Sequence, residues 1–144
     1  MRWLVRADAS VTLGAGHIAR CLTLARQART HGVQVEFVCR DLTGALMPQI
    51  RQDGFTAHTL GAQEDDAAAT STIAADGEAV QWLVVDHYAL DASWERRVQG
   101  AVANIMVIDD LANRPHDCTV LLDQNFWPDA ATRYLGLVPP HCMQ

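Results

Sequence analysis

RWLVRADASVTLGAGHIARCLTLARQARTHGVQVEFVCR, residues 2–40, decides the fold. Residues 2–6 form a short apolar run and residues 33–39 a second, rich in β-branched side chains, so both read as strands. Between them Ile18, Cys21, Leu22, Ala25 and Ala28 recur at helical spacing from residue 17 to residue 31, and Gly32 stands where such a helix would stop. Strand, helix and strand in that order make one crossover unit, and its two strands run parallel.

The same alternation continues outward. Further strands are expected at 55–60, 80–85, 105–108 and 119–122, most of them short continuous apolar runs suited to a sheet covered on both faces. Helices are expected at 43–52, within 65–75, and from Asp91, a capping residue, through Trp94 and Val98 towards Ala103. Residues 61–79 are poor in large apolar side chains and are expected to be partly loop. Neither a repeat nor a linker interrupts the chain. The expectation is therefore α/β: one Rossmann-like, doubly wound parallel sheet over residues 1–144, with ligands bound where the carboxyl ends of the strands open into a crevice.

Composition narrows the chemistry. The chain has 144 residues, room for one core, and a net charge of −6 that argues against general nucleic-acid binding. All 11 basic residues are arginine. Without a lysine there is no amine for a Schiff base, a pyridoxal-phosphate anchor or a P-loop. No apolar run is long enough to span a bilayer, and the start lacks the apolar stretch of a signal peptide, so a cytoplasmic protein without membrane partners is expected. Cys21, Cys39, Cys118 and Cys142 show no metal-knuckle spacing and read as reduced thiols.

The strongest local signal is Gly14-Ala15-Gly16-His17 at the start of the first helix. Two glycines there let a ligand approach the backbone, and the free N–H groups and helix dipole favour negative charge. Gly14 to Ala19 also satisfies a loose GxGxxA dinucleotide pattern, with Asp41 as a ribose acid, but the first glycine lies too far from the strand for that use. The dipole favours a neutral ring at His17, able to accept a proton; the alternative is a helix-capping histidine. Arg6 and Asp8 follow the first strand, Asp86-His87-Tyr88 the fourth, Asp109-Asp110 the fifth and Asp123-Gln124-Asn125 the sixth. In this fold such carboxylates gather at one crevice, where they orient a base, hold sugar hydroxyls or cap helices. A metal site from Asp86, His87, Asp110 and His116 has no ligand spacing behind it. Trp3, Trp82 and Trp94 read as core, and Trp127 as a surface stacking residue.

With these residues laid out, the chain resembles the N-terminal half of the UDP-sugar hydrolases of pseudaminic acid biosynthesis, which act on UDP-2,4-diacetamido-2,4,6-trideoxy-beta-L-altropyranose. The resemblance runs through Arg6-Ala7-Asp8, residues 14–25, residues 86–91, Ile108-Asp109-Asp110, Arg114-Pro115-His116-Asp117-Cys118, Leu121-Leu122-Asp123-Gln124-Asn125 and Leu137-Val138-Pro139. It departs at Ala9, where the family has glycine, and at Thr119, where it has an acidic residue. Members resemble GT-B glycosyltransferases, with two Rossmann-like domains facing a cleft. The resemblance implies that this chain is the domain bearing the catalytic histidine and that the C-terminal nucleotide-binding domain lies outside it, leaving the isolated chain inactive. It further implies hydrolysis of the anomeric C–O bond with inversion, releasing UDP and the free sugar for the pseudaminic acid used in flagellin glycosylation.

Carried onto these positions, His17 is the general base; Arg6, Asp8, Gly14, Gly16, Arg20, Asp86, His87, Tyr88, Asp109, Asp110 and Asn125 are substrate-binding or base-orienting. The resemblance implies no metal, no cofactor and a nucleotide-sugar partner, and a monomer is expected. Two rival readings are a GT-B glycosyltransferase acceptor domain, in which the same histidine would deprotonate an acceptor hydroxyl, and a non-catalytic sugar- or protein-binding module.

Overall fold

The computed structural model describes residues 1–8, 16–42 and 47–144. Six strands, β1 (Arg2–Ala7), β2 (Gln34–Arg40), β3 (Thr56–Leu60), β4 (Val80–Asp86), β5 (Ile105–Ile108) and β6 (Val120–Leu122), form one sheet in the order β3-β2-β1-β4-β5-β6. Every neighbouring pair is parallel, so the expected Rossmann-like α/β fold is present. Each strand agrees with its expectation to within a residue at either end.

Among the described residues four helices connect them: α1 (Gly16–Thr30), α2 (Met47–Gln52), α3 (Asp66–Ala75) and α4 (Ala92–Val98), the last running into a 3₁₀ turn at Gln99–Ala101. The expected start of α2, residues 43–46, lies outside the described residues, as does Gly14. The weakly apolar stretch 61–79 is loop as far as Asp65, whose carboxylate caps α3 through the Ala68 amide. At the end of α1, Gly32 adopts φ 77° while the Gly32 and Val33 amides return to the carbonyls of Arg29 and Ala28. This is the left-handed helix stop that glycine adopts without steric cost.

Leu4 and Val5 are adjacent on β1 and face opposite sides of the sheet, and each anchors a separate core. Val5 packs with Phe37 of β2, the apolar stripe of α1 and Met47 and Ile50 of α2. Leu4 packs with Leu83 and Val85 of β4, Ala67 of α3 and Trp94 and Val98 of α4. Two apolar faces explain why the strands read as continuous hydrophobic runs. Trp94 is buried, whereas Trp3, Trp82 and Trp127 are only partly so. All four cysteines are free, and Cys118 Sγ lies 3.6 Å from Cys142 Sγ. Among the described residues no helix is long and apolar enough to cross a membrane.

Helix α4 has the cap expected of it: Asp91 Oδ1 accepts from the Ser93 and Trp94 amides at 2.9 and 3.3 Å. Asp91→Ala is expected to cost about 1 kcal/mol in urea unfolding, the usual value of an N-cap. A cost near zero would show that tertiary packing alone holds the first turn of α4.

Candidate active site

The strand order reverses between β1 and β4: β2 and β3 extend to one side, β5 and β6 to the other. Crossover helices leave these two strands in opposite directions, and a crevice opens at their carboxyl ends. Asp8 follows β1, Asp86 ends β4, and the N-terminus of α1 brings Gly16 and His17 to the same place. A cavity of about 180 Å³ lies there, lined by Asp8, His17, His87, Tyr88 and Ala89.

His17 is 6 % exposed, and its Nδ1 lies 2.5 Å from Asp86 Oδ1. The carboxylate takes the Nδ1–H, which leaves the Nε2 lone pair as the available base. Among the described residues nothing is hydrogen-bonded to Nε2. The side chain therefore reaches across to β4 instead of capping its own helix, and the capping alternative has no support in this geometry. Tyr88 meets the imidazole edge-on, with ring centroids 4.5 Å apart.

Asp86 is completely buried and receives two further hydrogen bonds from Arg20, from Nε and Nη2, each 2.5 Å, and one from Cys21 Sγ at 3.5 Å. Burial pushes its proton affinity up, but the bonds from Arg20 and His17 outweigh that and hold the carboxyl below the ordinary range. Asp86 is thus an anion at neutral pH, and Arg20, one helical turn from His17, fixes which of its oxygens faces the imidazole.

His87 is held differently. Its Nδ1 accepts the Ala89 amide at 3.1 Å, so the proton sits on Nε2 and is donated to Asp8 Oδ2 at 3.0 Å. With both nitrogens engaged, His87 shapes the cavity and has no free nitrogen to accept a proton, unlike His17. Asp8 is itself 2 % exposed, and it also accepts from Arg6 at 2.6 and 2.9 Å and from the Arg40 amide at 2.7 Å. Burial raises its proton affinity, and the bonds from His87 and Arg6 more than reverse the effect.

Asp110 gathers the outer residues of the crevice: Tyr88 donates its hydroxyl to Oδ1 at 3.0 Å, Asn125 donates to Oδ2 at 3.4 Å, and Arg20 stands 3.9 Å away. Tyr88 and Asn125 are exposed and able to meet a ligand. Gly16 is exposed too, and a Cβ there would meet nothing within 4 Å. Arg6 and Asp109, expected to touch substrate, are instead completely enclosed. Asp109 spends its carboxylate on the Leu111 and Ala112 amides, Arg114 and the Tyr134 hydroxyl. His116 is away from Asp86 and His87, paired with Glu95 of α4 at 2.6 Å. Among the described residues no group of three metal-ligating side chains converges.

No family model matches the chain. It is, however, 30% identical over 142 residues to the UDP-2,4-diacetamido-2,4,6-trideoxy-beta-L-altropyranose hydrolase of Campylobacter jejuni, an alignment covering 99% of this chain and 48% of that protein. This chain is a sequence relative of that hydrolase. It spans about half the length of the curated relative it matches.

In this relative of the Campylobacter hydrolase, the residues that sequence reasoning missed are those supporting the crevice from behind. Asp66, in the first turn of α3, binds Arg6 at 3.0 and 2.6 Å, Arg40 at 2.8 Å and the Trp94 indole at 3.0 Å. In the sequence it looks like an ordinary helix-dipole carboxylate, and no local signal links it to a residue 60 positions earlier. Arg114 is the second such residue.

Asp8, Asp66 and Asp86 all bind protons more weakly in the folded chain than in the unfolded one. A group of this kind contributes stability that is complete above its unfolded pKa and is lost as pH falls through the depressed folded value. Stability is therefore expected to be level near neutrality and to decline steeply below about pH 4. Urea midpoints measured between pH 7 and pH 2.5 test this. A flat profile would mean that the three carboxylates are not engaged as described.

Proposed function

We propose that this chain provides the catalytic-base half of a UDP-sugar hydrolase, acting on UDP-2,4-diacetamido-2,4,6-trideoxy-beta-L-altropyranose or a close analogue. The observation that carries the reading is the His17–Asp86 pair at the topological switch point, with Nε2 left open at a cavity. Similarity to the Campylobacter hydrolase along 99% of this chain gives it a substrate class.

A water held at Nε2 of His17 attacks the anomeric carbon from the face opposite the diphosphate. Its proton passes to Nε2 as the new C–O bond forms, and the old anomeric C–O bond breaks with its electron pair leaving on UDP. The sugar emerges inverted. The imidazolium that develops is stabilised by the Asp86 carboxylate, whose charge and orientation Arg20 secures. Tyr88 and Asn125 present a hydroxyl and an amide to sugar oxygens, Asp110 aligns both, and Gly16 permits close approach beside the positive end of α1. Arg6 and Asp109 act from behind the cavity wall, whereas Asp8 is part of that wall and holds His87 in place. UDP needs no protonation to depart, so one base suffices.

The reaction is tested by following UDP release from the UDP-linked diacetamido sugar, using the 144-residue chain alone and the chain with whatever sequence its gene encodes downstream. Release by the longer form, abolished by loss of His17, is the expected result. Absence of release from both forms would remove the hydrolase reading and favour an acceptor-binding or non-catalytic role.

A further inference from the structure

We propose that Arg114 is a positioning residue for the candidate site, holding the turn after β4 in the conformation that shapes the cavity beside His17. In its kinetic consequences the proposal rests on the hydrolase reading; its structural content does not.

The turn is residues 87–90. His87, Tyr88 and Ala89 are three of the five residues lining the cavity, and the turn is closed by the Leu90 amide donating to the His87 carbonyl at 3.3 Å. Arg114 lies between β5 and β6 and reaches this turn across 24 to 27 positions of sequence. Its Nε donates to the Leu90 carbonyl at 2.8 Å and Nη2 to the His87 carbonyl at 3.1 Å, gripping both ends of the turn. The third nitrogen, Nη1, donates to Asp109 Oδ1 at 2.7 Å. One planar guanidinium therefore ties the β4 turn to the end of β5. A lysine has no fork and reaches only one such acceptor well.

The anchor is rigid. Asp109 is completely buried, and its other oxygen accepts from the Ala112 amide at 2.9 Å and from Tyr134 at 3.2 Å. Ala112 has φ 48°, a left-handed conformation that a non-glycine residue keeps only where its surroundings impose it. Residues just after Arg114 continue the strap onto α4. The Pro115 carbonyl accepts the Ala92 amide at 2.9 Å, His116 pairs with Glu95, and the Asp117 amide donates to the same carboxylate. Arg114 does not line the cavity, so it acts through the turn and touches no reacting atom. The side chains of the turn have their own partners, Asp8 for His87 and Asp110 for Tyr88, whereas Arg114 sets the backbone from which they project.

The test combines amide hydrogen exchange with UDP-release kinetics for wild type, Arg114→Gln and Arg114→Lys. Exchange at Ala89 and Leu90 is expected to accelerate at least about tenfold in both variants while core amides such as Val84 and Val107 keep their rates. In the UDP-releasing form, kcat is expected to fall roughly 10- to 100-fold with KM changed less than about threefold, the signature of misplaced catalytic geometry. Unchanged exchange at Ala89 and Leu90, acceleration of all amides together, or a wild-type rate in Arg114→Lys would each overturn the proposal. If Arg114→Gln does not fold, Arg114→Lys decides alone. A wild type that releases no UDP would defeat the hydrolase reading, and the exchange result would then decide the positioning role by itself.

Discussion

Replacing His17 by alanine is expected to lower kcat for UDP release by about 10²- to 10⁴-fold while leaving UDP binding little changed. At about 1.4 kcal/mol per decade this is roughly 3 to 5.5 kcal/mol of transition-state stabilisation, the span of a positioned general base. The fold is expected to survive, since alanine suits the first turn of α1 and Asp86 keeps its two bonds from Arg20 and the one from Cys21. That separation matters for interpretation. Asp86 remains a compensated anion after the substitution, so loss of rate reports loss of the base and not collapse of the site. Steady-state kinetics with isothermal titration of UDP makes the measurement, and an unchanged kcat would remove His17 from the mechanism.

The largest effect on stability is expected at Arg6. Its guanidinium is 1 % exposed and makes two bonds to Asp8 and two to Asp66, with the Val38 carbonyl nearby at 3.4 Å. Arg6→Met keeps much of the volume but leaves one buried carboxylate, Asp8, and one partly buried carboxylate, Asp66, without their shared cation. The expected cost is about 3–5 kcal/mol at pH 7, read as a fall in the urea midpoint with an unchanged slope.

The pH dependence gives a second signature. In the native chain the two carboxyls bind protons weakly, because the bonds to Arg6 outweigh burial. Without Arg6 burial has less to oppose it, so protonation in the folded state becomes easier and the deficit relative to wild type should narrow as pH falls towards 4. A cost under about 1 kcal/mol, or a deficit independent of pH, would show that Asp8 and Asp66 are adequately held by His87, Arg40 and Trp94 alone.

Arg6 also illustrates why substrate contact and site support look alike in a sequence. Arg6 near the end of β1, Asp8 just past it and Asp109 just past β5 stand at the right edge of the sheet, and position alone suggests that they face the ligand. Arg6 and Asp109 are enclosed behind the crevice and Asp8 stands in its wall: Arg6 fixes Asp8, Asp8 fixes His87, and Asp109 fixes Arg114. Tyr88, Asn125 and Gly16 at the same edge remain open. Whether a polar residue at a strand end points into the crevice or behind it depends on the path of the next few residues, and strand periodicity carries no information about that path.

What the sequence determined by itself was everything governed by local periodicity and by short-range stereochemistry. The stripe Ile18, Cys21, Leu22, Ala25 and Ala28, the stop at Gly32, the cap at Asp91 and the apolar runs of the strands each follow from interactions a few residues apart, and together they require a parallel sheet with covered faces. The position of His17 at a helix start, next to Gly16, is legible for the same reason. Tertiary structure alone decided which carboxylate serves that histidine. Asp86 lies 69 residues away and reaches His17 only because β4 pairs with β1 at the point where the strand order reverses. The same holds for the reach of Arg114 to the β4 turn and of Asp66 to Arg6. Such pairings are chosen by the strand order and by the cost of leaving a buried charge without a partner, and neither is written in any window of neighbouring residues.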